Sequence, residues 1–125
     1  MTGNIPRLPD GELAIMQIIW DCGERVSRTE IEERLTGEHK LMPTTILTQL
    51  SRLTDKGFIR CEKSERKNLF TPIVTREEYL ASQSESLFKK LCGGRVDVFA
   101  AALCDSGITK EELSELRRLL EEGEL

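Results

Sequence analysis

The sequence is poor in the residues on which enzyme and metal chemistry most often depend. It has one histidine, His39, and four cysteines among 125 residues, and no two cysteines form a C-x-x-C motif. It also lacks an H-E-x-x-H motif, a phosphate-binding P-loop and a glycine-rich dinucleotide turn. We therefore predict that the protein is not an enzyme and that it has no catalytic residues, metal site or cofactor.

The cysteines are also widely separated in the sequence. Cys22, Cys61, Cys92 and Cys104 do not resemble the framework of a disulfide-rich secreted domain, and they favour free thiols in a reducing compartment. A metal or redox sensor needs several soft ligands that converge on one point. The favoured interpretation is that the thiols have no functional role, and a thiol- or metal-responsive regulator stays open as an alternative.

Long hydrophobic runs are missing as well. No apolar stretch approaches the roughly 18 residues needed to cross a bilayer, and the first ten residues, MTGNIPRLPD, lack the apolar core of a signal peptide. Hydrophobic residues make up 38% of the chain and charged residues 32%, a composition typical of a folded soluble domain. We expect a cytoplasmic protein that does not contact membranes.

The net charge of −4 is unevenly distributed. Residues 1–74 hold 11 basic and 11 acidic side chains, whereas residues 75–125 hold 7 and 11, so the second part carries the whole excess. Residues 40–74 hold 7 basic and 3 acidic side chains. Because attraction to phosphate depends on the local field, this segment is compatible with nucleic-acid binding.

Two helices are predicted before residue 36. Asp10 can cap the first, and Gly23 suits the left-handed position after its end. A short extended piece at Val26–Ser27 follows, and Ser27 with Glu30 forms the capping box of the second helix. The apolar face of the first helix contains Leu13, Met16, Ile19 and Trp20, and that of the second contains Ile31 and Leu35.

A third helix, Pro43–Lys56, is predicted to be the recognition helix. Proline is well tolerated in a first turn, and Gly57 stops the helix. At 100° per residue, Leu50 and Leu53 fall within about 40° of Ile46, and the three residues form a buried stripe. The opposite face presents Thr44, Thr45, Thr48, Ser51, Arg52 and Asp55.

Two strands are predicted after Gly57. The segments FIRCEKS and KNLFTPIV alternate with a period of two and are joined by a polar turn, residues 64–67. Three helices followed by such a hairpin are typical of a winged helix-turn-helix. We therefore predict a mainly α fold with a small β-hairpin wing, and a DNA-binding domain over residues 1–74.

Residues 75–125 are predicted to form a three-helix dimerisation module. Capping boxes begin its first and last helices, at Thr75/Glu78 and Thr109/Glu112, and Gly93-Gly94 ends the first. About 50 residues in three helices cannot bury so much apolar surface alone, so a second copy of the chain is expected to cover it. The predicted dimerisation residues are Tyr79, Leu87, Leu91, Phe99, Leu103, Leu113, Leu116 and Leu120.

The outer face of the recognition helix is the predicted site for double-stranded DNA. An α-helix fits the major groove, and threonine offers a hydroxyl for base or phosphate and a methyl for thymine. Three threonines within five residues are poor helix formers on an exposed face, which favours a functional reason for them. His39 is expected to be a surface histidine that does not contact DNA. The predicted DNA contacts are Thr44, Thr45, Thr48, Gln49 and Arg52 in the helix, and Lys63, Arg66 and Lys67 in the wing.

The residues resemble the penicillinase repressors of β-lactamase and methicillin-resistance systems, together with the related copper-transport repressors. The likeness is carried by ELAIMQIIW, PTTILTQLSRLTDKGFI, TPIVTREEYL, LFKKLCGGRV and ITKEELSELRRLLEE, which span nearly the whole chain in order. It implies a winged helix, a helical dimerisation domain and repression by a homodimer on a palindromic operator. The DNA contacts that it implies are Thr44, Thr45, Thr48, Arg52 and Arg66.

The chain also departs from this family. Relatives often have lysine where it has Leu47 and glycine where it has Glu65. A membrane-bound sensor protease cleaves some relatives at an Asn-Phe bond, but Ala102-Leu103 aligns with that bond, so this site is absent. The copper branch has a cysteine-rich C-terminal motif, which EEGEL does not contain. Leu47 and the low net basicity leave a winged-helix protein-interaction module as an alternative.

Overall fold

The N-terminal part of the chain folds as three helices against a three-stranded sheet. Its helices are α1 (Asp10–Cys22), α2 (Arg28–Arg34) and α3 (Pro43–Asp55), and its strands are β1 (Val26–Ser27), β2 (Ile59–Lys63) and β3 (Asn68–Pro72). After it come α4 (Arg76–Ser86), a π-helical turn (Leu87–Leu91), α5 (Val96–Asp105) and α6 (Lys110–Glu122). The computed structural model describes residues 5–35 and 41–123, and His39 lies outside them. The predicted order of helices and hairpin is confirmed.

Helix α1 begins differently from the prediction. Pro9 occupies the capping position without a side-chain hydrogen bond, and Asp10 is the first helical residue. The carboxylate of Asp10 is still well placed in the first turn, where the helix dipole favours negative charge. The helix ends at Gly23, whose φ of 72° is the left-handed conformation that was predicted.

All three predicted capping boxes are present. The side chains of Ser27, Thr75 and Thr109 accept hydrogen bonds from the backbone amides three residues later, and Glu30, Glu78 and Glu112 accept from the capping amides. The backbone hydrogen bond lowers the pKa of each of these glutamates. Because the folded-state pKa is depressed, this stabilisation is present at neutral pH and is lost as the pH falls below the ordinary carboxyl range.

The wing belongs to a larger sheet than the predicted hairpin. Strand order is β1-β3-β2, and both pairs are antiparallel. Val26 pairs with Phe70 and Ser27 with Leu69, so the short extended piece before α2 is a third strand. The Ser64 amide donates to the Lys67 carbonyl at 2.8 Å and closes the turn at the wing tip.

The hydrophobic core packs α3 against α1, α2 and the sheet. The predicted stripe of Ile46, Leu50 and Leu53 is at most 1% exposed. From the other elements the core includes Ile15, Met16, Ile19, Val26, Ile31, Phe58, Ile59 and Phe70. Burial on this side fixes the rotation of α3 about its axis and therefore determines which of its residues face outward.

The chain divides into an N-terminal unit, Met1–Gln83, and a C-terminal unit, Ser84–Leu125, whereas the predicted boundary lies after residue 74. The first turns of α4 join the N-terminal core through Tyr79. Its hydroxyl accepts a hydrogen bond from the Leu8 amide at 2.9 Å, and its ring centroid lies 5.7 Å from those of Trp20 and Phe58. Because Tyr79 is only 6% exposed here, it is removed from the predicted dimerisation surface.

Replacing Tyr79→Phe is expected to destabilise the N-terminal unit by about 1–3 kcal/mol, because the buried Leu8 amide loses its partner. Trp20 is the only tryptophan and adjoins Tyr79, so its fluorescence in urea reports the unfolding of this unit. Ser84→Ala removes an exposed hydroxyl from the same helix and is expected to change stability by less than about 0.5 kcal/mol. Equal stability of the two variants would contradict the role of the hydroxyl.

The C-terminal unit buries little of its apolar surface in a single chain. No residue of α5 or α6 is buried. The rings of Phe88 and Phe99 meet edge to face, 5.9 Å between centroids. The predicted long helix is α-helical to Ser86 and then continues as the π-helical turn. None of the helices in the described ranges has both the length and the apolar character that a membrane crossing requires.

Candidate nucleic-acid interface

The outer face of α3 is polar, as predicted. Thr44, Thr48 and Arg52 are exposed, and Thr45 is half-buried. The Thr48 hydroxyl donates to the Thr44 carbonyl at 3.0 Å. Thr48 can therefore still accept a hydrogen bond from a ligand through its hydroxyl oxygen, or contact the ligand with its methyl group. Arg52 forms no ion pair with any carboxylate of residues 5–35 and 41–123, and its guanidinium is available to a base or a phosphate.

Gln49 lies apart from this face. It is half-buried, and its Nε2 lies so near α1 that a Cβ added at Gly11 would be 2.9 Å away. Its Oε1 is buried and has no hydrogen-bond partner among the described residues. The structure therefore places Gln49 at the contact between α3 and α1, where the predicted base contact is not available to it.

An ion pair that was not predicted from the sequence anchors the C-terminal end of α3. The Nζ of Lys56 lies 2.5 Å from Oε1 of Glu12, whose side chain is 1% exposed. One sequence feature could have predicted this pair, because Glu12 lies at helical spacing from Ile15, Met16 and Ile19, which are all buried. A carboxylate on such a face requires a partner.

The wing supplies a group of free cations beside α3. Lys63, Arg66 and Lys67 are exposed, and none of them pairs with a carboxylate in the part of the chain that the structure describes. Arg60, also in β2, lies 3.6 Å from Glu62. The positive charge is therefore concentrated at the wing tip, as predicted, and suits contact with phosphates.

A cleft of about 210 Å³ separates the wing from the start of α2. Leu47 of α3 forms part of its wall and is 49% exposed, although it is apolar. Lys67 lies close enough to α2 to contribute to the lowered pKa of Glu30, whose main cause is the hydrogen bond from the Ser27 amide. The lining residues are Ser27, Arg28, Thr29, Leu47, Arg66, Lys67, Asn68 and Phe70.

The four cysteines are free thiols that differ in exposure. Cys61 and Cys104 are exposed, Cys22 is half-buried and Cys92 is buried. Across residues 5–35 and 41–123, no group of three or more His, Cys, Asp or Glu side chains is arranged to hold a metal ion.

The model of the penicillinase repressor family matches residues 8–122. The chain belongs to the penicillinase repressor family. The resemblance inferred from the sequence is thereby confirmed, and so is the winged-helix fold. The protein is a DNA-binding transcriptional repressor and not an enzyme.

Individual known proteins are similar over most of the chain. The penicillinase repressor of Bacillus licheniformis is 29% identical over 120 residues, which cover 95% of this chain and 93% of that protein. A 16.5 kDa protein in the ptsI 3′ region of Latilactobacillus sakei is 31% identical over 121 residues, covering 96% and 82%. The solution structure of monomeric Bacillus licheniformis BlaI in complex with the blaP half-operator matches with a TM-score of 0.51 and 32% identity, covering 61% of this chain and 92% of that one.

Proposed function

We propose that this repressor acts in the cytoplasm as a homodimer on a palindromic operator, with one α3 in each of two successive major grooves. The observation that carries the proposal is the exposed threonine and arginine face of α3 beside the cationic wing, both held by one buried core. The relative's complex with a half-operator supports it, because a whole operator then takes two chains.

We assign different DNA contacts to α3 and to the wing according to the chemistry of their side chains. Thr44, Thr45 and Thr48 contact base edges near the start of α3, as recognition helices do. Arg52, one turn further, reaches a guanine or a phosphate, and Lys63, Arg66 and Lys67 hold the backbone beside the wing. Gln49 has no part in this assignment because it is packed against α1.

The proposed dimer interface is an apolar groove of about 520 Å³ in the C-terminal unit, between α5 and α6. Five predicted dimerisation residues line it: Phe99, Leu103, Leu113, Leu116 and Leu120. Leu87 and Leu91 of the π-helical turn are 41% and 78% exposed and stay in the proposed surface. A second copy is the proposed occupant, because it brings an equal apolar face to cover this one.

We also infer that release from DNA does not depend on cleavage at the family's Asn-Phe position. Ala102 and Leu103, which align there, lie within α5, and Leu103 lines the apolar groove. A sensor protease acting on this repressor therefore needs another bond. Mass spectrometry of the repressor from induced cells tests this, and fragments that end between Ala102 and Leu103 would refute it.

The decisive experiment is selection of DNA by the purified protein from a random library, followed by mobility-shift titrations over a range of salt. We expect a two-fold symmetric site with half-sites about 34–36 Å apart and an affinity that falls steeply with salt. Affinity independent of salt, or no sequence-selective binding at all, would instead favour the protein-interaction module.

Replacing Arg52→Ala or Thr48→Ala is expected to weaken binding to the selected operator by about 1–3 kcal/mol each if they contact bases. Fluorescence anisotropy with the operator and with an unrelated duplex separates the loss of base reading from a general loss of affinity. Glu33→Ala, an exposed position on α2, is the control and is expected not to weaken binding. Unchanged operator affinity in both variants would refute the assignment of the α3 face.

A further inference from the structure

We propose that the cleft between α2 and the wing binds a phosphate of the operator backbone through Arg28, and that Glu32 competes with this phosphate for Arg28. The inference rests on the proposed function, because the phosphate belongs to the same DNA that α3 reads. It adds a contact from α2 to those of α3 and the wing, and a carboxylate that lowers the affinity.

The cleft gathers cations from two parts of the fold. Arg28 comes from α2, whereas Arg66 and Lys67 come from the wing, and all three line the same space. The Thr29 hydroxyl and the Asn68 amide add neutral donors. A volume of about 210 Å³ has room for several water-sized groups, at roughly 30 Å³ each, and therefore for the oxygens of a phosphate.

The nearby carboxylates offset only part of this positive charge. Glu30 accepts hydrogen bonds from the amide and the hydroxyl of Ser27 and keeps its charge, but within the described residues neither Arg66 nor Lys67 is in an ion pair. Arg28 differs, because its guanidinium donates to Glu32 one turn along α2. A net positive cleft thus has one of its three cations held by a carboxylate.

The Arg28–Glu32 pair is suited to exchange. The side chains are 37% and 31% exposed, and ion pairs so open to solvent are weak because water competes for both partners. A DNA phosphate is a strong, often bidentate acceptor for arginine. Arg28 can therefore exchange the Glu32 carboxylate for a phosphate. The free energy needed to break the ion pair lowers the affinity for DNA.

The test measures affinity against salt for Arg28→Gln, Glu32→Gln and the double variant, with the duplex that the wild type selects as the probe. Arg28→Gln is expected to weaken binding about fivefold and to reduce the salt slope by about 1.8, because each of the two chains loses one phosphate contact with a value of about 0.9. Glu32→Gln is expected to tighten binding about two- to fivefold, and to have no such effect in the Arg28→Gln background.

Matched controls separate this contact from general charge effects. Arg25→Gln and Glu33→Gln remove the same charges at exposed positions outside the cleft lining, and both are expected to leave the salt slope unchanged. Arg28→Lys should restore the slope, and Trp20 fluorescence should show that every variant is folded. If the wild type binds DNA but Arg28→Gln leaves the salt slope unchanged, the inference is overturned. Absence of wild-type binding overturns the proposed function itself.

Discussion

The double substitution Leu113→Glu with Leu116→Glu is expected to convert the repressor from a dimer to a monomer and to weaken binding to the full operator by at least about 100-fold. Both leucines are half-buried in one chain and line the groove between α5 and α6. Two carboxylates there would have to be desolvated against the apolar face of the partner. The large loss on DNA follows because two linked half-site contacts bind about 10²–10⁴ times more tightly than one.

Sedimentation velocity gives the oligomeric state, and anisotropy titrations with full and half operators give the affinities. Affinity for the half-operator is expected to be unchanged, which separates loss of the dimer from misfolding of the DNA-binding unit. Ser114→Glu adds a carboxylate at an exposed position of α6 that does not line the groove, and it should remain dimeric. A double variant that sediments as a dimer would show that the interface lies elsewhere.

Replacing Lys56→Met is expected to destabilise the N-terminal unit by about 3 kcal/mol. The substitution leaves the Glu12 carboxylate, 1% exposed, in the core without its cation, and an unpaired buried charge costs several times more than a surface pair contributes. Because Glu12 belongs to α1 and Lys56 follows the last residue of α3, the pair also fixes the C-terminal end of the recognition helix.

Urea unfolding followed by Trp20 fluorescence measures this loss. The double variant Glu12→Met, Lys56→Met should recover most of the stability, since two apolar side chains can replace a buried pair. Arg60→Met removes a cation from the exposed pair with Glu62, 3.6 Å apart, and is expected to cost no more than about 1 kcal/mol. If Lys56→Met and Arg60→Met lose equal stability, the Glu12 carboxylate finds water or another partner.

Local sequence patterns were sufficient for the secondary structure that positions the candidate site. The stripe of Ile46, Leu50 and Leu53 predicted the rotation of α3, and the outer threonines followed from it. Capping boxes, Pro43 and the period of two in the wing depend on neighbours within a few residues, so they can be read without the fold. The apolar faces of residues 75–125 predicted a second copy of the chain, and the family resemblance added the palindromic operator, which no local pattern contains.

The packing of side chains at the edges of the helix faces could be determined only from the tertiary structure. The helical pattern left open whether Gln49 faces DNA or α1, and the packing at Gly11 placed it inward. Tyr79 fits the apolar face of α4 equally well in a dimer interface or in the N-terminal core, and the Leu8 amide and the Trp20 and Phe58 rings hold it in the core.

By itself, the sequence determined the helices, the wing, the polar face of α3 and the family of the protein, because short-range periodicity and motif order encode them. Only the tertiary structure decided the partners of Glu12 and Tyr79, the position of Gln49 against α1, the pairing of β1 with β3, and the meeting of Arg28 with the wing cations. Each of these contacts includes a pair of residues at least 38 positions apart, as for Gly11 and Gln49, and Leu8 and Tyr79 are 71 positions apart. No periodicity specifies which distant side chain fills a given space, because that is settled by packing and by the need of each buried polar group for a partner.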